Sequence, residues 1–360
     1  MNILKRPPGD DFTFRLFVKL VNGIKQPKDV FYLWSNCIDP NYNTISHFIG
    51  EQQFYENEII YRNSIMSSVK TDLIIMGVKD HLTSQDFDPS IDKYTDMVIW
   101  LKQMAQYYSS KKIVLFTSLE NLSIDEPNVA VIPWGGDITN HQRDYLGLEP
   151  VLDKNYNSTY TFLSLNRNAR LHRIELVRAL YRQNLNSHGL VSCMFSDQLK
   201  NIEPSINDSY EIYNNHQNDN VNNFNNKLRN YYKDTFVEIV SETSFAEPAF
   251  NLTEKTLNSV YGCSFPIFIS SAGTVRFLRN MGLDVFDDIV DHSYDDIEEP
   301  WARLDKAISL NINLLTEIAR IKYLHKTNQQ RFINNVDFVK TTMYDFYKNR
   351  TESITNELDL

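Results

Sequence analysis

The segment Phe236–Gly273, FVEIVSETSFAEPAFNLTEKTLNSVYGCSFPIFISSAG, decides the fold class. Phe236–Val240 is a short β-branched run that predicts a buried strand, and Ser241-Glu242-Thr243 marks its end. Thr253-Glu254-Lys255 then opens an apolar-periodic run through Leu257, Val260 and Tyr261. Thr253 suits an N-cap, Glu254 suits the positive first turn, and Gly262 can stop the helix. Pro266–Ile269 predicts a second strand, and Ser270-Ser271-Ala272-Gly273 leads into another helix. This is a β-α-β unit, and open α/β sheets bind ligands outside the carboxyl ends of their strands. Two carboxylates (Glu242, Glu254) and one ammonium (Lys255) at such an edge suit a nucleotide, with carboxylates on ribose hydroxyls and lysine on phosphate.

The same alternation extends through the 360 residues. Strands are expected at Phe12–Val18, Val30–Trp34, Asp72–Val78, Ile113–Phe116 and Val129–Ile132, with a helix over Lys93–Tyr108. Residues 1–150 therefore form an expected first α/β domain, with a polar linker at 141–158. A second runs over 151–330 and begins at the strand Tyr160–Leu165, and a helix and tail follow over 331–360. Val285-Phe286 is expected as a short strand and Trp301–Tyr323 as one amphipathic helix. Strands separated by helices imply largely parallel sheets. The expected architecture is two Rossmann-like lobes facing a cleft, with C-terminal helices.

Charge is unevenly distributed within the net of −10. Asp284–Glu299 holds eight acids and no Lys or Arg, and is expected to be a solvated loop. Thr161–Arg182 holds five arginines and one glutamate, for a local +4. Of these, Arg167, Arg170 and Arg173 stand where a strand turns into a helix. A helix start attracts anions, and guanidinium forks pair with phosphate oxygens. Arg178 and Arg182 have the spacing of an ordinary helix surface. Three widely separated cysteines (Cys37, Cys193, Cys263) show neither zinc spacing nor a disulfide framework. No 18-residue apolar run and no apolar leader occur, so a cytoplasmic protein without a membrane span is expected.

These segments carry a family likeness. Asn166–Arg173 with Leu180, then Glu242, Thr253-Glu254-Lys255 and Pro266-Ile267, and finally Phe116–Asn121 together resemble the α-1,3-fucosyltransferase-like inverting glycosyltransferases of GT-B fold and related bacterial and phage enzymes. The resemblance implies that Arg173 meets the donor diphosphate. It implies that Glu242, Glu254 and Lys255 contact nucleotide and phosphates, with Thr253 and Gly273 in the same donor site, and that Glu120 is the catalytic base. Asp137 and Asp80, which follow strands, are fallbacks for the base. The family has Glu-Asn where this chain has Glu242-Thr243. The expected donor is a GDP- or UDP-sugar, the acceptor a glycan or small molecule, and no metal or other cofactor is required if cationic side chains hold the diphosphate.

Three other readings compete. Asp86-Phe87-Asp88 is the Asp-x-Asp of a metal-dependent transferase. A phage enzyme acting on a hydroxymethylated base in duplex DNA would need to flip that base, using side chains such as Trp34, Tyr61, Arg62, Lys111, Lys112 and Trp134. A non-catalytic sugar-nucleotide binding protein would bind donor without turnover. His172 and His292 are expected to be structural.

Overall fold

The computed structural model describes residues 30–34, 73–78, 93–110, 112–117, 119–133, 138, 142, 145–166, 170–193, 224 and 228–357. The chain divides into two compact units, one of residues 1–136 with 348–360 and the other of residues 137–347. Among the described residues, no helix is long and apolar enough to cross a membrane.

The first unit holds a parallel sheet of β1 (Val30–Trp34), β2 (Leu73–Val78), β3 (Lys112–Thr117) and β4 (Val129–Pro133), in the order β1-β2-β3-β4. Helix α1 (Lys93–Tyr107) crosses from β2 to β3 and buries Leu101 and Ala105. Ile113, Val114 and Leu115 are successive and all buried, as expected of a parallel strand covered on both faces. Asn128 donates to the carbonyls of Ala105 (3.0 Å) and Tyr108 (3.1 Å), closing the helix end onto the loop before β4. The strand expected at Phe12–Val18 lies outside the described residues.

The second unit is a three-layer α/β/α sandwich. Its strands β5 (Phe162–Ser164), β6 (Gly189–Val191), β7 (Val237–Ser241) and β8 (Phe265–Ile269) are all parallel, in the order β6-β5-β7-β8. Alternate residues feed two cores. Leu163, Val240 and Phe268 pack with α4 (Glu254–Tyr261), α5 (Thr274–Met281) and part of α9 (Gln329–Glu357). Phe162, Val237, Ile239, Phe265, Ile267 and Ile269 face the other way. They meet α2 (Leu171–Arg182), α6 (Pro300–Leu310) and residues of the short helices α7 (Ile312–Thr316) and α8 (Ile318–Thr327). A further short helix, α3 (Arg229–Asp234), precedes β7. Gly189 is required by packing, since a Cβ there would sit 2.4 Å from the Phe162 ring.

Three expectations are corrected. The supposed linker is core: Tyr145, Leu148 and Val151 are buried in the second unit, and the division falls at Gly136/Asp137. Lys154, in the same stretch, is buried and donates to the carbonyls of Tyr232 (2.6 Å), Thr235 (2.8 Å) and Gly262 (2.6 Å). Burial pushes its ammonium down to about 7, yet three acceptors require three N–H donors, which only the protonated form has.

The acidic run leaves six of its eight acids exposed, as a solvated loop does, but it packs Val285, Phe286, Val290 and Tyr294 into the core and contains no strand, Phe286 being left-handed with φ 62°. Asp284 and Asp288 hold Arg331, Asp287 holds Arg279, and Asp296 holds Arg276. Residues 301–323 form three helices rather than one. Asn311 accepts from the Asp291 amide (2.9 Å) and donates to the Asp291 and Ala307 carbonyls (both 3.0 Å), so it ties the helix to the acidic segment and interrupts it there.

Candidate functional site

In the second unit the chain runs from β5 outward to β6, then returns to β7 on the other side of β5 and goes on to β8. The order reverses between β5 and β7, and ligands of doubly wound sheets lie outside the strand ends at that switch point. The sequence places small polar residues there. Asn166 follows β5, Ser192 follows β6, Ser241 to Ser244 end β7, and Ser270 and Ser271 follow β8; all are buried. Asn166 bridges two strands, its amide nitrogen accepted by Ser164 Oγ (3.0 Å) and its backbone N–H donated to Ser192 Oγ (2.9 Å).

Helix α2 starts at this edge. Its N-cap, Arg170, has no side-chain cap and no acid occupies the first turn, so the positive helix end is not neutralised from within. Arg170 Nη1 donates to the Thr243 carbonyl at 2.7 Å. Arg173 is buried and reaches the carbonyls of Ser241 (3.2 Å) and Glu242 (3.4 Å) through Nη2. His172 Nε2 lies 3.1 Å from the Glu242 carbonyl and its ring stacks on Phe245. That contact makes Nε2 the protonated nitrogen of a neutral imidazole. Burial, then the charges of Arg173, Arg170 and Lys255, holds His172 well below the usual imidazole range. One buried ring therefore senses all three cations.

The opposite wall is the start of α4. Thr253 is the N-cap, with its hydroxyl accepting from the Lys255 amide. Glu242 is buried and accepts from the Thr253 amide (3.3 Å) and hydroxyl (2.6 Å) and from the Thr256 hydroxyl (2.7 Å). It thus bolts the end of β7 to the first turn of α4. Lys255 Nζ, on a side chain 21% exposed, lies 2.9 Å from Thr253 Oγ1 and 3.1 Å from Glu254 Oε1. Arg170, Arg173, Glu242, Thr253, Glu254 and Lys255 therefore form one chain of contacts.

The remaining expected residues fall elsewhere. Gly273 is left-handed (φ 81°) at the start of α5, and its amide donates to the Asp295 carbonyl at 3.0 Å. The Asp295 carboxylate accepts from the amides of Val275 (3.1 Å) and Arg276 (2.9 Å), so a side chain of the protein already supplies the anion at this helix start. Burial raises the Asp295 carboxyl, opposed by those two amides. Glu120, in the first unit, is 1% exposed and pairs with Arg350 Nη1 at 2.6 Å. That contact is a framework role for both. Arg167, Asp137, Asp80, Asp86 and Asp88 lie outside the described residues, as do Tyr61, Arg62, Lys111, Trp134 and the side chain of Trp34. Lys112 is exposed at the start of β3.

Arg303 carries no local signal that sequence reasoning could have singled out. It is buried and donates to the carbonyls of Phe245, Ser270 (2.9 Å), Ile297 and Glu298 (3.1 Å), joining the loops after β7 and β8 to the acidic segment. His292 is structural as expected, bonded to the Val285 carbonyl (2.9 Å) and Tyr294 hydroxyl (3.1 Å). Among the described residues, no group of three or more His, Cys, Asp or Glu side chains is arranged to hold a metal ion. No protein-family model, curated protein or solved structure matches the chain.

Proposed function

We propose that the protein is a glycosyltransferase of GT-B type, which moves a sugar from a nucleotide-diphosphate sugar to an acceptor hydroxyl. The observation that carries this reading is the chain of contacts at the β5/β7 switch point, where Arg170 and Arg173 bond the carbonyls of Ser241, Glu242 and Thr243 and Lys255 bonds Thr253, itself bonded to Glu242. The partners of both arginines there include neutral carbonyls, which orient a guanidinium without cancelling its charge. The starts of α2 and α4 add positive dipole ends beside these cations.

A diphosphate fits that field. In the reaction the acceptor hydroxyl gives its proton to a carboxylate base, the part the resemblance gives to Glu120 with Asp137 and Asp80 as fallbacks, while its oxygen attacks the anomeric carbon and the bond from that carbon to the phosphate oxygen breaks. The electron pair stays on the diphosphate, whose growing charge the cations stabilise. In-line displacement inverts the anomeric centre. Cationic side chains perform the neutralisation that a divalent ion performs in other transferases.

A second reading is favoured by one observation. Glu120, the residue that the resemblance implies as base, is buried on Arg350, so a sugar-nucleotide binding protein without turnover explains the same donor cluster. Thermal shift with GDP, UDP and their sugars tests the shared part. A ligand at about 100 times its Kd adds roughly 2.7 kcal/mol. Lys255→Ala is expected to abolish that shift. Absence of any shift with all of these ligands overturns both readings. Sugar release or transfer from the stabilising donor separates them.

A further inference from the structure

A groove lies between α2 and α6 of the second unit. It has a volume of about 360 Å3 and is lined by Leu171, Glu175 and Arg182 of α2 and by Trp301, Leu304 and Asp305 of α6. We propose that this groove is a carbohydrate-binding site that takes a pyranose ring against Trp301. The proposal does not depend on the donor site.

Trp301 is presented rather than packed away. Glu299 caps α6 by accepting from the Trp301 and Ala302 amides, and Pro300 fixes the first turn. The indole leans on Phe245, with centroids 5.1 Å apart, and Phe245 in turn stacks on His172. Even so, 38% of Trp301 and 45% of Leu171 remain exposed, beside the buried Leu304. An aromatic ring held in place loses little freedom when a ligand arrives.

The polar lining selects among ligands. Glu175 and Asp305 accept hydrogen bonds only, and Arg182 donates only. A pyranose answers both, because each hydroxyl donates and accepts while the C–H face of the ring covers the indole. The formal charge of the lining is −2 + 1 = −1, which disfavours a nucleotide diphosphate. A partner helix needs a continuous apolar stripe, and here three apolar side chains alternate with three charges. Glu175 is also held by Arg178, so its carboxylate is oriented before a ligand arrives.

The test is saturation-transfer NMR on the full chain, without nucleotide, using methyl β-glucopyranoside, methyl β-galactopyranoside and N-acetylglucosamine. Transfer to at least one sugar is expected, with a Kd then measured by titration. Trp301→Ala should weaken that binding about tenfold or more, as loss of an aromatic anchor does. Trp301→Phe should retain part of it. Asp305→Asn changes only an exposed helix position and carries the test if Trp301→Ala fails to fold; it should weaken binding several-fold. No transfer to any of the three sugars, or unchanged affinity in folded Trp301→Ala and Asp305→Asn, overturns the proposal.

Discussion

Replacing Glu242 separates a frame from a ligand contact. Its carboxylate accepts three hydrogen bonds within the protein, two at 2.6 and 2.7 Å and a longer one at 3.3 Å. Bonds to a charged acceptor contribute about 1.5–3 kcal/mol each. Glu242→Ala deletes all three and strands an amide and two hydroxyls beside a cavity, so a loss of about 3–5 kcal/mol is expected. Glu242→Gln keeps the shape and one acceptor oxygen, and the threonine hydroxyls can turn to accept from the new amide, which limits the loss to about 1–2 kcal/mol. For a unit of this size, each kcal/mol moves Tm by about 2–4 °C. Calorimetry without ligand should therefore place Glu242→Gln a few degrees below the parent and Glu242→Ala well below that. Thr256→Val should cost about as much as Glu242→Gln, and the pair should be coupled by at least about 0.5 kcal/mol in a double-mutant cycle. An unchanged Tm for Glu242→Gln, together with loss of the nucleotide-induced shift, would refute the reasoning, because the carboxylate would then face the ligand and not α4.

Lys255→Ala should behave oppositely. Its pair with Glu254 is partly exposed and contributes about 0–1 kcal/mol, so the unliganded Tm should hardly move while the shift with GDP or UDP disappears. Arg350→Ala leaves Glu120 as a buried carboxylate without its guanidinium; urea denaturation should show a loss of about 3–5 kcal/mol, partly recovered in Arg350→Ala/Glu120→Gln. Glu238 gives the pH test. Burial pushes its carboxyl up to about 8 from an ordinary 4.5, against the Tyr232 hydroxyl bond. Between those values the folded protein keeps a proton that the unfolded chain has released, so this residue's contribution falls as pH rises, by on the order of 4–5 kcal/mol in all. Glu238→Gln should gain stability relative to the parent from pH 5 to pH 8 in urea titrations; a difference that stays flat with pH contradicts a protonated Glu238.

Much of the fold was legible where chemistry is local. Strands β7 and β8 and helix α4 lie within a residue of their expected bounds, and Thr253 is the N-cap its position suggested. Those features depend on neighbours one to four positions away. The stretch 141–158 misled because Lys154 and its polar neighbours resemble a linker, whereas the carbonyls that accept from Lys154 lie at 232, 235 and 262. In the acidic run four of the eight acids pair with arginines that no local reading brings together, Arg276 and Arg279 upstream and Arg331 far downstream. Gly262 caps the end of α4 as expected, but not through a left-handed conformation. It stays right-handed, with φ −68°, and the left-handed residue is Cys263. Glycine is needed at 262 because a Cβ would sit 2.2 Å from the Tyr232 ring.

The candidate site divides along the same line. Residue types pointed to the switch-point edge of the sheet, because arginines at a strand-to-helix turn and a TEK helix start are local signals. Which of those residues face a ligand is a property of distant partners. Two of the acids are committed within the protein: Glu242 to α4 and Glu120 to Arg350. An acid bound in that way sets geometry, and the cations whose partners include neutral oxygens are the ones that keep a field for a ligand. Arg170 and Arg173, bonded to carbonyls at the end of β7, and Lys255, bonded to the N-cap Thr253, are grouped by those contacts rather than by charge counted along the sequence. Glu254, paired with Lys255, differs from Glu242 and Glu120 in keeping its side chain partly exposed.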